Sequence, residues 1–111
     1  MLRPPLTAAA LAAFHILLVN WRIAPAPAWR MLTGLGYQAG SLTDDQAVRV
    51  AHLVAIDAAM KRIGGHPVGL WMTTGNMAPV LSGSSPIVYL TRGGSPAYAT
   101  LLRQVERWAA M

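Results

Sequence analysis

The longest apolar run in this chain, residues 6–19 with the sequence LTAAALAAFHILLV, is the feature that most constrains its fold. A helix that spans a bilayer needs about 20 apolar residues, whereas runs of about 10–14 are more often buried core helices. A signal peptide needs a positive start, an apolar stretch and small residues at the cleavage site. Arg3 and the Ala-Pro-Ala of residues 26–28 follow that pattern loosely. Three alternatives stay open for residues 6–23: a membrane anchor or spanning helix, a signal peptide, or a core helix.

The composition indicates more apolar surface than a chain of 111 residues can bury by itself. Hydrophobic residues make up 54% of it and charged residues only 12%, against about 25% charged residues in typical soluble domains. Because a domain of this size buries a modest core, we expect a membrane or a partner protein to cover the surplus. This predicts a membrane-associated or exported protein, or a cytoplasmic one if residues 6–23 form a core helix.

The charges are positive in sum but dispersed. Nine Lys and Arg residues against four Asp and Glu residues give a net charge of +5. A nucleic-acid site would gather such cations on one face or in a run, so nucleic acid is not an expected partner. A soluble basic module that binds nucleic acid or an acidic partner is the alternative function. The absence of cysteine excludes disulfides and cysteine-based zinc sites.

The stretch GLGYQAG, residues 34–40, is close to the glycine fingerprint of dinucleotide-binding loops. Such a loop needs a strand before it and a helix start whose N–H groups face the phosphate. Here Thr43 and Gln46 form a capping box that occupies those groups, and the two aspartates after Thr43 would repel a phosphate. We therefore interpret Gly34 as the end of a short helix and expect no nucleotide cofactor.

The remaining pattern predicts an α+β fold. A long central helix, apolar on two sides, runs from about Asp44 to Ile63 and ends at a Gly-Gly pair. Three stretches enriched in Val, Ile, Tyr and Trp then predict a three-stranded antiparallel meander. They are residues 67–74, 77–81 and 86–91. Ser95 caps a C-terminal amphipathic helix with Pro96 at its first position.

We divide the chain at the linker-like stretch APAP, residues 24–27. Residues 1–28 comprise the apolar N-terminal helix, as an anchor or a signal, together with this linker. Residues 29–111 form a small α+β domain, which opens with a short helix after Pro27. We expect these two parts to be organised separately.

No set of residues has the spacing of a catalytic or metal site. The histidines His15, His52 and His66 are far apart, and no carboxylate stands with them at a ligand spacing. No G-x-S-x-G turn presents a serine. We therefore expect no catalytic residue, no metal and no cofactor. A hydrolase would need a cleft lined by His66, Ser82 and Ser84.

A second motif lies in residues 65–93. It consists of a P-x-G-L-aromatic segment, a turn, a glycine and the strand-like IVYL, with matching positions at Pro67, Gly69, Leu70, Trp71 and Gly83. The region resembles the catalytic hairpin of the conjugative-transfer branch of the signal peptidase family. The resemblance implies a β-hairpin behind an N-terminal membrane segment. It also implies a lost activity, because the family's nucleophilic serine falls on Gly65 and its general-base lysine has no counterpart.

These observations favour a non-catalytic, membrane-associated or exported protein that acts as an accessory or interaction subunit of a larger assembly. Tryptophan and methionine are enriched at protein contacts. The candidate interface residues are therefore Trp21, Trp29, Trp71, Met72, Met77 and Trp108. For Trp71 and Trp108, a place in the core is an equally good interpretation.

Overall fold

Five helices follow one another along residues 3–111, the part of the chain that the computed structural model describes. They are α1 (Arg3–Trp21), α2 (Pro25–Thr33), α3 (Asp44–Ile63), α4 (Val68–Thr73) and α5 (Pro86–Ala109). Helix α3 is central and packs against both α1 and α5, while α2 and α4 complete the core. The prediction of an α+β fold is wrong, because residues 3–111 contain no strand.

The N-terminus of α3 has the predicted capping box. The hydroxyl of Thr43 accepts a hydrogen bond of 3.1 Å from the N–H of Gln46, and the Gln46 side chain accepts one of 2.9 Å from the N–H of Thr43. Two N–H groups at the start of the helix are thereby satisfied. The predicted end is also confirmed, since Gly64 follows Ile63 with a positive φ of 73°.

The glycine-rich stretch of residues 34–40 connects α2 to α3. Gly34 adopts the left-handed conformation, with a φ of 84°, and its N–H donates a hydrogen bond of 2.9 Å to the carbonyl oxygen of Arg30. This is the predicted C-terminal cap of the short helix. The helix itself begins slightly earlier than predicted, at Pro25, because a proline lacks only an N–H that the first turn does not use.

The predicted three-stranded meander is wrong in each of its strands. Residues 67–74 contain α4, residues 77–81 lie in a turn, and residues 86–91 are the first part of α5. Val, Ile and Trp favour strands because they fit a half-buried pleated surface, so the preference depends on the surroundings. Here the same residue types pack between helices, and Val68 and Ile87 are buried in the core.

Helix α5 runs from Pro86 to Ala109, but non-helical backbone at Gly94 divides it into two helical parts, and the second part begins next to the predicted start at Ser95. The Ser85 hydroxyl accepts a hydrogen bond of 3.3 Å from a backbone N–H one turn further on, and Pro86 is the first helical residue. The prediction missed the first part, which ends at the break at Gly94, with a φ of 66° and a ψ of −157°. Pro96 lies just beyond this break, where its missing N–H does not interrupt a continuous helix.

Helix α1 belongs to the core through one face. Phe14, Leu17 and Trp21 are buried, and the ring of Phe14 packs edge-on against Trp29 of α2 with 4.8 Å between the ring centroids. Among the alternatives for residues 6–23, this packing is that of a core helix. No helix within residues 3–111 combines the length and the apolar character that crossing a membrane requires.

Candidate interaction surface

The face of α1 that points away from the core is apolar. We call it the α1 outer face, and it consists of Ala8, Ala12, Ile16 and Val19. Ile16 is 60% exposed and Val19 is 75% exposed. Residues 4–21 contain no charged side chain. Because a surface helix ordinarily presents charged and polar residues to water, the α1 outer face is a candidate contact surface.

A second apolar surface lies on α3. We call it the α3 face, and it consists of Asp44, Val48, Ala51, Ala55, Ala58 and Arg62. Val48 is 53% exposed, and Ala51 and Ala58 also face water. The charged members stand only at the two ends, an acid at the N-terminal end and an arginine at the C-terminal end. An apolar strip therefore runs along the exposed side of the central helix.

A groove separates α1 from α3 beside this strip. Its lining is almost wholly apolar and includes Leu6, Ala9, Ala13, Val48, Ala51 and Val54. Leu6 and Val54 are exposed in it. Since most of the lining side chains are small, another helix could approach both α1 and α3 closely.

The tryptophans and methionines predicted for an interface are divided between core and surface. Trp21, Trp29 and Met72 are buried in the core. Trp71 and Trp108 are half-buried and pack against it. Only Met77, in the turn before α5, is largely exposed, at 84%. The six residues therefore do not share one exposed surface.

Sequence reasoning missed the aliphatic residues that form the two exposed faces. For the α3 face a signal was present, because Val48, Ala51, Ala55 and Ala58 alternate at spacings of three and four residues. However, that spacing does not show which side of α3 stays exposed, because the helix is apolar on two sides. Packing against α1 and α5 decides which side remains open.

A polar cluster beside the core joins α2, α3 and α5. Arg49 donates hydrogen bonds of 2.8 Å to the Ser95 hydroxyl and 3.0 Å to the Leu32 carbonyl oxygen, and its guanidinium lies 5.4 Å from the centroid of the Tyr98 ring. The Tyr98 hydroxyl donates a hydrogen bond of 2.8 Å to the Met31 carbonyl oxygen. Burial raises the pKa of Tyr98 well above its usual range, and the nearby Arg49 charge lowers it by less. These contacts connect helices to each other.

The residues that a hydrolase would need do not share a cavity. His66 and Asn76 line a small cavity beside α4, and neither Ser82 nor Ser84 lines it. The Ser82 hydroxyl donates a hydrogen bond of 2.9 Å to the carbonyl oxygen of Pro79. Within residues 3–111, no three His, Cys, Asp or Glu side chains lie close enough together to hold a metal ion.

The region that resembles the signal peptidase hairpin, residues 65–93, forms α4, a turn and the first part of α5. The hairpin implied by the resemblance is therefore replaced by helices. Comparison of the chain with models of protein families, with curated proteins and with solved structures found no match. A proposal for the function therefore rests on the exposed surface of the chain.

Proposed function

We propose that this protein is a non-catalytic accessory subunit of a larger assembly and that it binds a partner protein through the α1 outer face. One observation supports the proposal above all. Ile16 and Val19 are 60% and 75% exposed on a helix that has no charged residue from position 4 to position 21. Apolar surface of this kind is typical of contact sites on small proteins.

Covering the α1 outer face would stabilise a complex. A large aliphatic side chain contributes roughly 1.5–3 kcal/mol when it is fully removed from water. Ile16 and Val19 lie one helical turn apart, and Ala12 and Ala8 continue the same face toward the N-terminus. The partner that fits is an apolar helix or groove, because the α1 outer face offers no charged group for an ion pair.

Site-specific photo-crosslinking in living cells tests this contact. A photoreactive amino acid replaces Ile16 or Val19, and as a control it replaces Glu106, an exposed residue of α5. We expect the same partner protein to be captured from positions 16 and 19 and not from position 106. Introducing Val19→Asp should abolish capture from position 16, whereas Glu106→Lys should leave it unchanged. Adducts with lipid alone, or equal capture from all three positions, would contradict the proposal.

The location that we propose is membrane-associated or exported, and the cytoplasm is the alternative because one face of α1 packs in the core. The exposed apolar side chains of Ile16 and Val19 and the low content of charged residues, 12%, support the first location. Fractionation of the untagged protein, with sequencing of its N-terminus, tests the location separately from the contact. Recovery of the intact chain in the soluble cytoplasmic fraction would contradict this part and leave the crosslinking result standing.

A further inference from the structure

The α3 face is one side of the central helix, and its middle part is apolar. Its members alternate at spacings of four and three residues from Asp44 to Arg62. The mean spacing of 3.6 residues is that of a straight α-helix, so these six residues line one side of α3. The exposed side of a core helix is ordinarily polar, yet Val48, Ala51 and Ala58 face water here. This apolar exposure along one side of the helix indicates that another helix packs there.

The ends of the α3 face carry opposite charges. Arg62 lies about five helical turns, or about 27 Å, beyond Asp44 and on the same side of the helix. Asp45 and Lys61 repeat the same order of charges one residue inside, and each also forms an ion pair within the chain. When a second copy of the α3 face lies antiparallel to the first, its basic end therefore meets the acidic end of the first copy. Its acidic end likewise meets the basic end of the first copy.

We propose that two copies of this chain associate through their α3 faces, antiparallel, about a two-fold axis. The symmetry makes each contact occur twice, as in other interfaces where the same patch meets itself. The pairs that face each other across the interface are Asp44 and Arg62, Val48 and Ala58, and Ala51 and Ala55. A parallel pair would instead set Asp44 against Asp44 and Arg62 against Arg62, and repulsion disfavours that arrangement.

The groove beside the α3 face adds apolar contact area to this dimer. Leu6 and Val54 line it and are 57% and 43% exposed in the single chain. The second copy of α3 covers part of this groove as it packs on Val48 and Ala51. The α1 outer face stays open in the dimer, so self-association is independent of the proposed partner contact.

Sedimentation equilibrium of the full chain over a wide concentration range tests the association. We expect a mass that rises toward twice 11.8 kDa. Asp44→Arg and Arg62→Asp should each raise the dissociation constant at least about tenfold, since each sets two pairs of like charges together. The double variant should return to within about threefold of the original value, because both pairs are restored in reverse. Arg107→Asp, an equal charge change at an exposed position of α5, is the matched control and should have no effect.

Introduced cysteines test the antiparallel order, because the chain has none of its own. Ala51→Cys protein is mixed with Ala55→Cys protein under a mild oxidant. A disulfide requires Cα atoms within about 7 Å, so the two variants should crosslink to each other faster than either crosslinks to itself. A parallel dimer would show the reverse preference.

Thermal unfolding of each variant separates loss of association from loss of folding. The double variant carries the same change at the start of α3 as Asp44→Arg, so its recovery shows that the charge pairs act between copies. A monomer at every concentration would overturn the proposal, and so would a dimer that neither single charge reversal weakens. If Ile16→Asp disrupts the dimer instead, the copies associate through the α1 outer face, and the proposal is likewise overturned.

Discussion

The indole N–H of Trp21 donates a hydrogen bond of 2.8 Å to Oδ1 of Asp57, a residue 36 positions further along the chain. Asp57 is buried, and its other oxygen, Oδ2, lies 2.9 Å from Nζ of Lys61. The end of α1 is thereby tied to α3 about two turns before the end of that helix. Trp21, which the sequence suggested as an interface residue, makes its polar contact inside the chain.

We expect Asp57→Ala to lower the free energy of unfolding by about 2–3 kcal/mol, because the buried indole N–H of Trp21 loses a charged acceptor. Lys61→Ala should cost no more than about 1 kcal/mol, since exposed ion-pair partners contribute little. The Lys61 side chain is 62% exposed. Urea denaturation of both variants measures the difference. Equal losses would show that the ion pair, and not the hydrogen bond to Trp21, stabilises this contact.

Gly69 of α4 lies against the backbone of α1. A Cβ at this position would collide with the carbonyl group of Trp21, which belongs to the backbone and cannot rotate away. We expect Gly69→Ala to destabilise the protein by about 1–3 kcal/mol, even though alanine is the better helix former. Gly40→Ala is the control, because nothing lies within 4 Å of the Cβ it would introduce. A neutral Gly69→Ala would mean that α4 shifts freely on α1.

The buried Tyr98 should make the fold sensitive to alkaline pH. Its pKa is raised by burial, so the folded state keeps the proton while the unfolded state loses it above about pH 10. The folded state then binds more protons, and the free energy of unfolding falls by up to about 1.4 kcal/mol for each pH unit above that point. Chemical denaturation from pH 8 to pH 12 measures this slope.

Tyr98→Phe separates this effect from the titration of other groups. The variant loses the hydrogen bond to the Met31 carbonyl oxygen, so we expect it to be less stable by about 1 kcal/mol or more at neutral pH. Its stability should fall less steeply above pH 10. An unchanged slope would mean that other groups cause the alkaline loss.

The two faces of α1 should respond differently to truncation. Phe14→Ala removes a fully buried ring that packs on Trp29, and we expect a loss of about 3–5 kcal/mol. Ile16→Ala alters an exposed side chain and should change stability by no more than about 0.5 kcal/mol. Denaturation of the two variants in parallel checks this. A large loss from Ile16→Ala would show that the α1 outer face is already covered in the isolated protein.

Local signals predicted the ends of helices better than they predicted the fold. Thr43 and Gln46 specify the start of α3, and Gly34 and Gly64 end two helices, because such caps depend on neighbouring residues alone. The predicted strands were wrong because the strand preference of Val and Ile depends on the surface against which these residues pack. The Ser-Pro pair at residues 85 and 86 is a helix-start signal of the same kind as the Ser-Pro pair at residues 95 and 96, but the prediction used only the second pair.

The candidate surface was predicted only in general terms. The shortage of charged residues indicated that apolar surface would remain exposed, but tryptophan and methionine were the wrong guide to its position. Large aromatic residues serve cores and interfaces alike, and here Trp21 and Trp29 fill the core. The large apolar residues that are exposed on the two candidate faces are instead Ile16, Val19 and Val48.

By itself, the amino-acid order determined where α2 and α3 end, the absence of charged residues from α1 after Arg3, and the opposite charges at the two ends of α3. These properties follow from near neighbours in the chain. Only the tertiary structure decided that residues 67–91 are helical in part and that one face of α1 enters the core. Those outcomes depend on contacts between distant segments, such as Trp21 with Asp57, whose free energy no local stretch of sequence contains.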